Sequence, residues 1–399
     1  TEFDSIIFAN RDIREVTIPS YIKHIKPFSF EECEQLTKIN FLNDSCLETI
    51  EKDSFAYSSL ENIIIPSSVR QIGEGAFSWC QTLETVEFSE DSKLVSIGNG
   101  AFSKSSLKYI SIPSSLQRIG DGSFAWCQFL QTLKFTENSE LLSIGNYTFY
   151  GSSIEVISIP SNVEELKDDW CRHTPLLTRV LISSNNKLFL GYEDKMIFGK
   201  SDKNSEVYDV LLFVFRNATT AKVPSFITRI GSYAFSGCQN LRTIEFEENS
   251  SLVSIGKGAF SNSPIEKVLI PKHVKSISEE AFSRCNKLKM IEFTKDSELR
   301  IIEKYAFEDS KIESISIPSS VNQLQDGWCK GTSKLTNVLI SPENNYFKYF
   351  DQENKIIISR SKNEEVFENI IFAKRDIKEA TIPSFIKRIK PFSFYQCDK

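Results

Sequence analysis

Residues Pro66–Ile112 read PSSVRQIGEGAFSWCQTLETVEFSEDSKLVSIGNGAFSKSSLKYISI, and this pattern returns along the whole chain. An Ile-Pro pair, once Val-Pro, closes each copy and leaves Pro19, Pro66, Pro113, Pro160, Pro224, Pro271, Pro318 and Pro383. The intervals are 47, 47, 47, 64, 47, 47 and 65 residues. A fixed period of this length signals stacked coils, each touching only its neighbours, so the array can grow without dividing. The spacing therefore predicts one continuous solenoid over 1–399, where length alone would suggest two or three domains.

Each copy splits into two shorter coils. Phe30, Phe55, Phe77, Phe102, Phe124, Phe149, Phe235, Phe260, Phe282, Phe307 and Phe394 mark the split, and neighbouring marks alternate 25 and 22 residues apart. Between them lies a hexamer with Leu or Ile first and alternating apolar positions at its end, as in Leu83-Glu-Thr-Val-Glu-Phe88 and Leu107-Lys-Tyr-Ile-Ser-Ile112. That alternation predicts half-buried strands, fifteen in all, with a proline where pairing stops. The Phe column is expected to run through the core. Stretches such as Ser78-Trp-Cys-Gln81 are too short for more than a turn or a single 3₁₀ turn. The two long intervals predict small antiparallel β insertions at 188–217 and 346–376, and residues 1–9 read as the tail of a third.

The phased set Ile65-Pro66, Ile72-Gly73, Ala76-Phe77 and Cys80 resembles the BspA-like, or Treponema pallidum-type, leucine-rich repeats over almost the full chain. The Trp-Cys pairs at 170–171 and 328–329 and the variants near Pro27 and Pro391 depart from the pattern in single coils. The resemblance implies a mainly β right-handed arc with a parallel sheet on the concave face and short turns outside. It implies surface-displayed or secreted proteins that bind host, matrix or microbial proteins, with an adhesin-like role. A structural spacer and an intracellular protein-interaction scaffold are the alternatives.

Composition narrows function further. A net charge of −6 argues against nucleic acid. Basic residues recur after the prolines, among them Lys23, Arg70, Arg118 and Arg229, and read as a solvated outer face. No apolar run reaches membrane-span length, so membrane association is expected only through segments outside the chain. Residues 3–33 are nearly repeated by 367–397, so the chain reads as a piece of a longer array.

Eight of the nine cysteines fall in repeat phase: Cys33, Cys80, Cys127, Cys171, Cys238, Cys285, Cys329 and Cys397. Copies 47 residues apart lie two coils, about 10 Å, apart, which is too far for a disulfide. They read as buried thiols, while Cys46, whose counterparts are polar, is expected to be exposed. Nine unpaired cysteines also suit a reducing compartment. The histidines, His24, His173 and His273, have no neighbours at metal-ligand spacing. The paired glycines at 73/75, 98/100 and 120/122 follow no strand–helix unit and read as turn chemistry, not a phosphate loop. Acidic loops such as Glu90-Asp91-Ser92, Glu137-Asn138-Ser139 and Asp296-Ser297 read as Asx turns, too sparse in ligands for a calcium cage. Sequons stand at Asn43, Asn146, Asn217 and Asn249. Neither a catalytic constellation nor a cofactor motif emerges. The candidate binding face is therefore the set of outward strand positions: Glu84, Glu87, Lys108, Tyr109, Gln131, Lys134 and Glu155, then Arg242, Glu245, Lys267, Lys289 and Glu292.

Overall fold

The outward positions of each hexamer alternate with Ile, Val, Leu or Phe, and strands form there. The computed structural model describes residues 4–136, 138–351, 353–360 and 366–397, and the chain divides into two compact units, Thr1–Lys195 and Met196–Lys399. In the first unit Asn62–Ile65, Thr85–Phe88, Tyr109–Ile112, Thr132–Phe135, Val156–Ile159 and Arg179–Ile182 form one sheet, and Glu15–Ile18 pairs with Lys38–Phe41. In the second, Thr220–Val223, Thr243–Phe246, Lys267–Ile270, Met290–Phe293, Ser314–Ile317 and Asn337–Ile340 form another. All these pairs are parallel and in step, as in Tyr109↔Thr132 and Lys267↔Met290. No helix occurs among the described residues.

Fourteen of the fifteen expected strands are therefore present. The fifteenth position, 377–382, is not a strand. A strand needs a ladder partner, and no further four-residue strand lies beside it among the described residues.

A second ladder, which the hexamers did not announce, runs through the Ile-Gly sites. Two-residue strands such as Thr49–Ile50, Gln71–Ile72, Ser96–Ile97, Arg118–Ile119 and Ser143–Ile144 pair in parallel along the first unit, and Arg229–Ile230 through Gln323–Leu324 do so in the second. These glycines are more than turn formers. A Cβ on Gly98 would lie 2.5 Å from the carbonyl carbon of Gly73, so only glycine lets neighbouring coils approach this closely.

The Ala-Phe turns supply a third set of bonds between coils. Phe55 N–H donates to Ala76 O at 2.8 Å, Phe77 to Ala101 at 2.7 Å and Phe282 to Ala306 at 2.7 Å. Inside this frame the Phe column stacks as expected. Ring centroids of Phe30, Phe55, Phe77, Phe102, Phe124 and Phe149 follow one another at 4.9, 5.2, 5.3, 5.5 and 5.9 Å. Phe235, Phe260, Phe282 and Phe307 repeat this at 4.7, 5.0 and 5.5 Å. Phe394 is only partly buried.

The insertions are antiparallel. Met196–Gly199 pairs with Val210–Val214. Phe347–Tyr349, Ile356–Arg360 and Phe367–Ala373 make a three-strand meander. The last strand of each joins the Ile-Gly ladder, through Val210↔Arg229 and Asn369↔Arg388. Residues 352 and 361–365 of the second insertion, residues 1–3 of the proposed third and Glu137 of one acidic loop lie outside the described residues.

The acidic loops close differently from an Asx turn. Their serine hydroxyls accept the backbone N–H two residues on, as in Ser92 to Leu94 at 3.4 Å and Ser297 to Leu299 at 3.3 Å. The carboxylates of Glu90, Asp91 and Asp296 are exposed.

Candidate binding surface

Glu87, Tyr109, Lys134, Glu245, Lys267 and Glu292 of the predicted face stand on the outer side of their strands, whereas Glu84, Lys108, Gln131, Glu155, Arg242 and Lys289 stand one residue before theirs. Glu84, Glu87, Lys108, Tyr109, Gln131, Lys134 and Glu155 are exposed on the first unit, and Arg242, Glu245, Lys267 and Lys289 on the second, with Glu292 half-buried. The pleat explains this. Ile63, Val86, Ile110 and Leu133 turn into the core, so their immediate strand neighbours such as Glu87, Tyr109 and Lys134 turn out, while Glu84, Lys108, Gln131 and Glu155 are exposed in the turn that leads into each strand. The two groups belong to separate sheets, and each is a surface in its own right.

Much of the charge is paired between neighbouring coils. Lys108 reaches Glu84 at 2.6 Å, Lys267 reaches Glu292 at 2.8 Å, Lys38 reaches Glu15 at 3.1 Å and Arg242 reaches Glu266 at 3.8 Å. Exposed pairs of this kind contribute about 0–1 kcal/mol each. The Lys38 and Asn40 side chains hold the Glu15 carboxyl below its ordinary range. Lys134 and Glu155 are exposed and join no ion pair among the described residues.

Charge patterning alone misses the apolar part of this surface. Ile64 and Tyr109 are exposed by 63% and 54% on the first sheet, and Leu269 and Leu339 by 50% and 57% on the second. Met290 stands opposite Lys267 and diagonal to Leu269. These side chains occupy outward strand positions where a solvated sheet would carry polar residues. The signal was present in the hexamers Ile63-Ile-Ile65 and Val268-Leu-Ile270, whose middle residues break the alternation.

The histidines are accounted for locally. His24 Nδ1 lies 2.9 Å from Thr49 Oγ1, His273 Nδ1 lies 3.0 Å from Glu298, and His173 packs edge-on against Tyr150. No group of three metal-ligating side chains occurs among the described residues. Cys33, Cys80, Cys127, Cys171, Cys238, Cys285 and Cys329 are buried, Cys46 is exposed and Cys397 is half-buried. All nine are free thiols.

Stacked coils with a parallel four-residue strand, an Ile-Gly ladder and a Phe core define a leucine-rich-repeat solenoid. The profile of the BspA type leucine rich repeat region matches residues 1–93, 48–178, 211–336 and 331–399, and the chain belongs to that family. No curated protein sequence is recognisably similar to it. Among solved structures it resembles a leucine rich cell surface protein from Faecalibacterium prausnitzii A2-165, at 22% identity and a TM-score of 0.62, over 86% of this chain and 89% of that one. It also resembles the pneumococcal vaccine antigen PcpA, at 21% identity and a TM-score of 0.60, over 96% of this chain and 86% of that one. At these identities the likeness is one of fold.

Proposed function

We propose that this chain is a non-catalytic, protein-binding module of a cell-surface or secreted protein, recognising host, matrix or microbial proteins through the outer faces of its strand sheets. The observation that carries the reading is the mixture on those faces. On the first sheet exposed Ile64 and Tyr109 share the face with Lys134, and on the second Leu269 and Met290 stand beside Lys267, with the strands of Tyr109, Leu269 and Met290 held by parallel ladders on both sides. A preformed surface loses little conformational entropy on association, so many weak contacts can add to a stable complex. The two structural neighbours, named as a cell surface protein and a vaccine antigen, support the placement outside the cell. Seven of the nine free cysteines are buried and so shielded from oxidants, which leaves the exposed Cys46 and the half-buried Cys397 as the thiols that such a setting would test.

The test is binding of the chain to immobilised matrix proteins and to host-cell surfaces, with the triple variant Lys108→Glu, Lys134→Glu, Glu155→Lys beside it. Saturable binding weakened about tenfold or more by the variant places a partner on the first sheet. Saturable binding that the variant leaves unchanged removes that sheet from the site. Absence of binding to every surface supports the spacer or scaffold reading instead.

A further inference from the structure

The turn two residues after each landmark Phe has a left-handed backbone throughout the chain, and its occupants differ sharply between the units. In the second unit they are Gly237, Asn262, Arg284, Asp309 and Gln396. In the first they are Glu32, Tyr57, Trp79, Lys104, Trp126 and Gly151, with the aromatic and cationic residues on four successive coils. A tryptophan at φ near 60° carries a steric penalty that glycine avoids, and Trp79 and Trp126 both sit there, at φ 60° and 61°. Strain of this kind persists where a side chain is needed.

The side chains form one stripe across successive coils. Tyr57 stacks on Trp79 at 5.5 Å, the Lys104 ammonium lies 3.6 Å from the Trp79 ring centre, and Trp126 meets Tyr150 edge-on at 5.1 Å. Trp126 and Tyr147 remain exposed by 42% and 41%, and the neighbouring Phe129 by 58%.

Two open clefts flank this stripe, of about 470 and 490 Å³, and Trp79, Lys104 and Trp126 border both. The floor of one is Gly100 and Gly122. A Cβ on either would meet nothing nearer than Ser103 at 3.9 Å or Ala125 at 3.8 Å, whereas over Gly258 the same space is filled by the Tyr233 ring. The free cation of the lining is Lys104, which lies over the Trp79 ring and joins no ion pair among the described residues, whereas Arg172 and the Asp169 carboxylate both act on Tyr147 at the far end of one cleft.

We infer that this stripe is a second binding site, distinct from the strand sheets, for an extended proline-rich peptide bearing an acidic residue between its prolines. The spacing fits. Trp79 and Trp126 lie two coils apart, about 10 Å at the usual strand separation. A polyproline II helix repeats every three residues, about 9 Å along its axis. Prolines at i and i+3 therefore meet the exposed Trp126 ring and the edge of Trp79, whose faces Tyr57 and Lys104 cover, and a carboxylate between them meets Lys104. The donor balance fits as well. A polyproline II strand leaves its carbonyls unbonded and has few N–H groups. Indole N–H, phenol and amide groups, with Gln81 and Gln128 beside the rings, supply donors and demand no carboxylate.

The experiment is a titration of the whole chain with a dodecapeptide of repeated Pro-Glu-Pro, followed by tryptophan fluorescence. The buried Trp170 and Trp328 give a constant background, and the change on binding comes from Trp79 and Trp126. Saturable binding is expected, weakened about tenfold by Trp126→Ala and severalfold by Lys104→Gln, with repeated Pro-Lys-Pro much weaker. Trp126→Gly, which suits the backbone at this turn, guards against a variant that misfolds. The sheet variant with three reversed charges should bind the peptide normally, so failure here and failure of the sheet reading are separable. Absence of binding at millimolar peptide, equal binding of the Lys peptide, binding unchanged in Trp126→Gly, or capture of heparin or chitin oligosaccharides at the stripe in place of the peptide would each overturn the proposal.

Discussion

The regular coils and the coils that carry insertions use the same turns but fill them differently. In a regular coil the landmark is a Phe stacked face to face on its neighbours, and the thiol behind it serves the preceding turn: Cys80 donates to Phe55 O at 3.1 Å and touches Ser58, and Cys127 does the same with Phe102 and Ser105. Where an insertion follows, the stack ends on a tryptophan turned edge-on, Phe149 to Trp170 at 81° and Phe307 to Trp328 at 87°. A buried asparagine then redirects the chain. Asn186 donates to Pro160 O and Val163 O and accepts from the N–H groups of Leu188 and Phe189. Asn344 makes the same four bonds, to Pro318, Val321, Tyr346 and Phe347.

Past the insertion a buried arginine meets the thiol in place of serine. Arg216 bonds Val214 O, Ala234 O and Cys238 Sγ, and Arg375 bonds Ala373 O, Ser393 O and both the carbonyl and sulfur of Cys329. Their guanidinium groups also lie over Phe213 at 4.3 Å and Phe372 at 4.8 Å. Carbonyl dipoles and ring faces take the place of a carboxylate around each cation. Arg11, against Ser29 O and Cys33 Sγ, starts the first coil in the same manner. An interrupted coil is thus a second, repeated solution to the packing problem, built on three polar or aromatic residues where the regular coil uses apolar stacking.

The largest effect that separates the two solutions is expected inside the stack. Phe77 is fully buried between Phe55 and Phe102, so Phe77→Ala loses two ring contacts and leaves a cavity. The expected cost is about 3–5 kcal/mol in equilibrium chemical unfolding. A loss below about 1 kcal/mol would mean that the ring is not part of a packed column. Asn344→Ala comes next. It strands two N–H groups and two carbonyls at the exit, for an expected loss of about 1–3 kcal/mol, while its exposed neighbour in Asn345→Ala should change stability little. Equal effects from the two would remove the asparagine from its role in redirecting the chain.

The regular solution is the part that a sequence displays. Its period, its hexamers and its Phe column are written in types whose burial follows from chemistry, and Leu83, Val86 and Phe77 lie where the spacing placed them. The interrupted solution is harder to see because its residues are polar and occur only two or three times. Trp170 and Trp328 stood out as departures, but Asn186, Asn344, Arg216 and Arg375 look like ordinary loop residues until their partners are known. The Ile-Gly ladder was hidden for a related reason: glycine is read as turn chemistry, and only the close approach to the neighbouring coil shows its other role. For the candidate surface, alternation identified which side chains face out. It could not weigh Ile64 or Leu269, nor assemble Trp79, Lys104 and Trp126, which meet only through stacking across coils.

The thiols give the smallest and most graded difference. Burial pushes Cys80, Cys127 and Cys329 up to about 11 and Cys285 up to about 12. At Cys238 the shift is also upward, with Arg216 opposing the burial that causes it. In the unfolded chain these groups release protons from about pH 8.5. Above that pH the unfolded state binds fewer protons than the folded one, so stability is fully present below it and declines as pH rises toward 11–12. A thiol reagent can follow this in one experiment. Cys46 reacts at once in the native protein, Cys397 more slowly, and the seven buried thiols only as coils open. Their slow labelling should accelerate between pH 8 and pH 10 beyond the reagent's own dependence on thiolate, and less so at Cys238, where a cation partly offsets the penalty of ionisation. Rapid labelling of several in-phase cysteines at pH 8 would show that the thiols are not sealed between coils. Identical pH profiles at Cys238 and Cys285 would show that the buried arginine does nothing for the sulfur it touches.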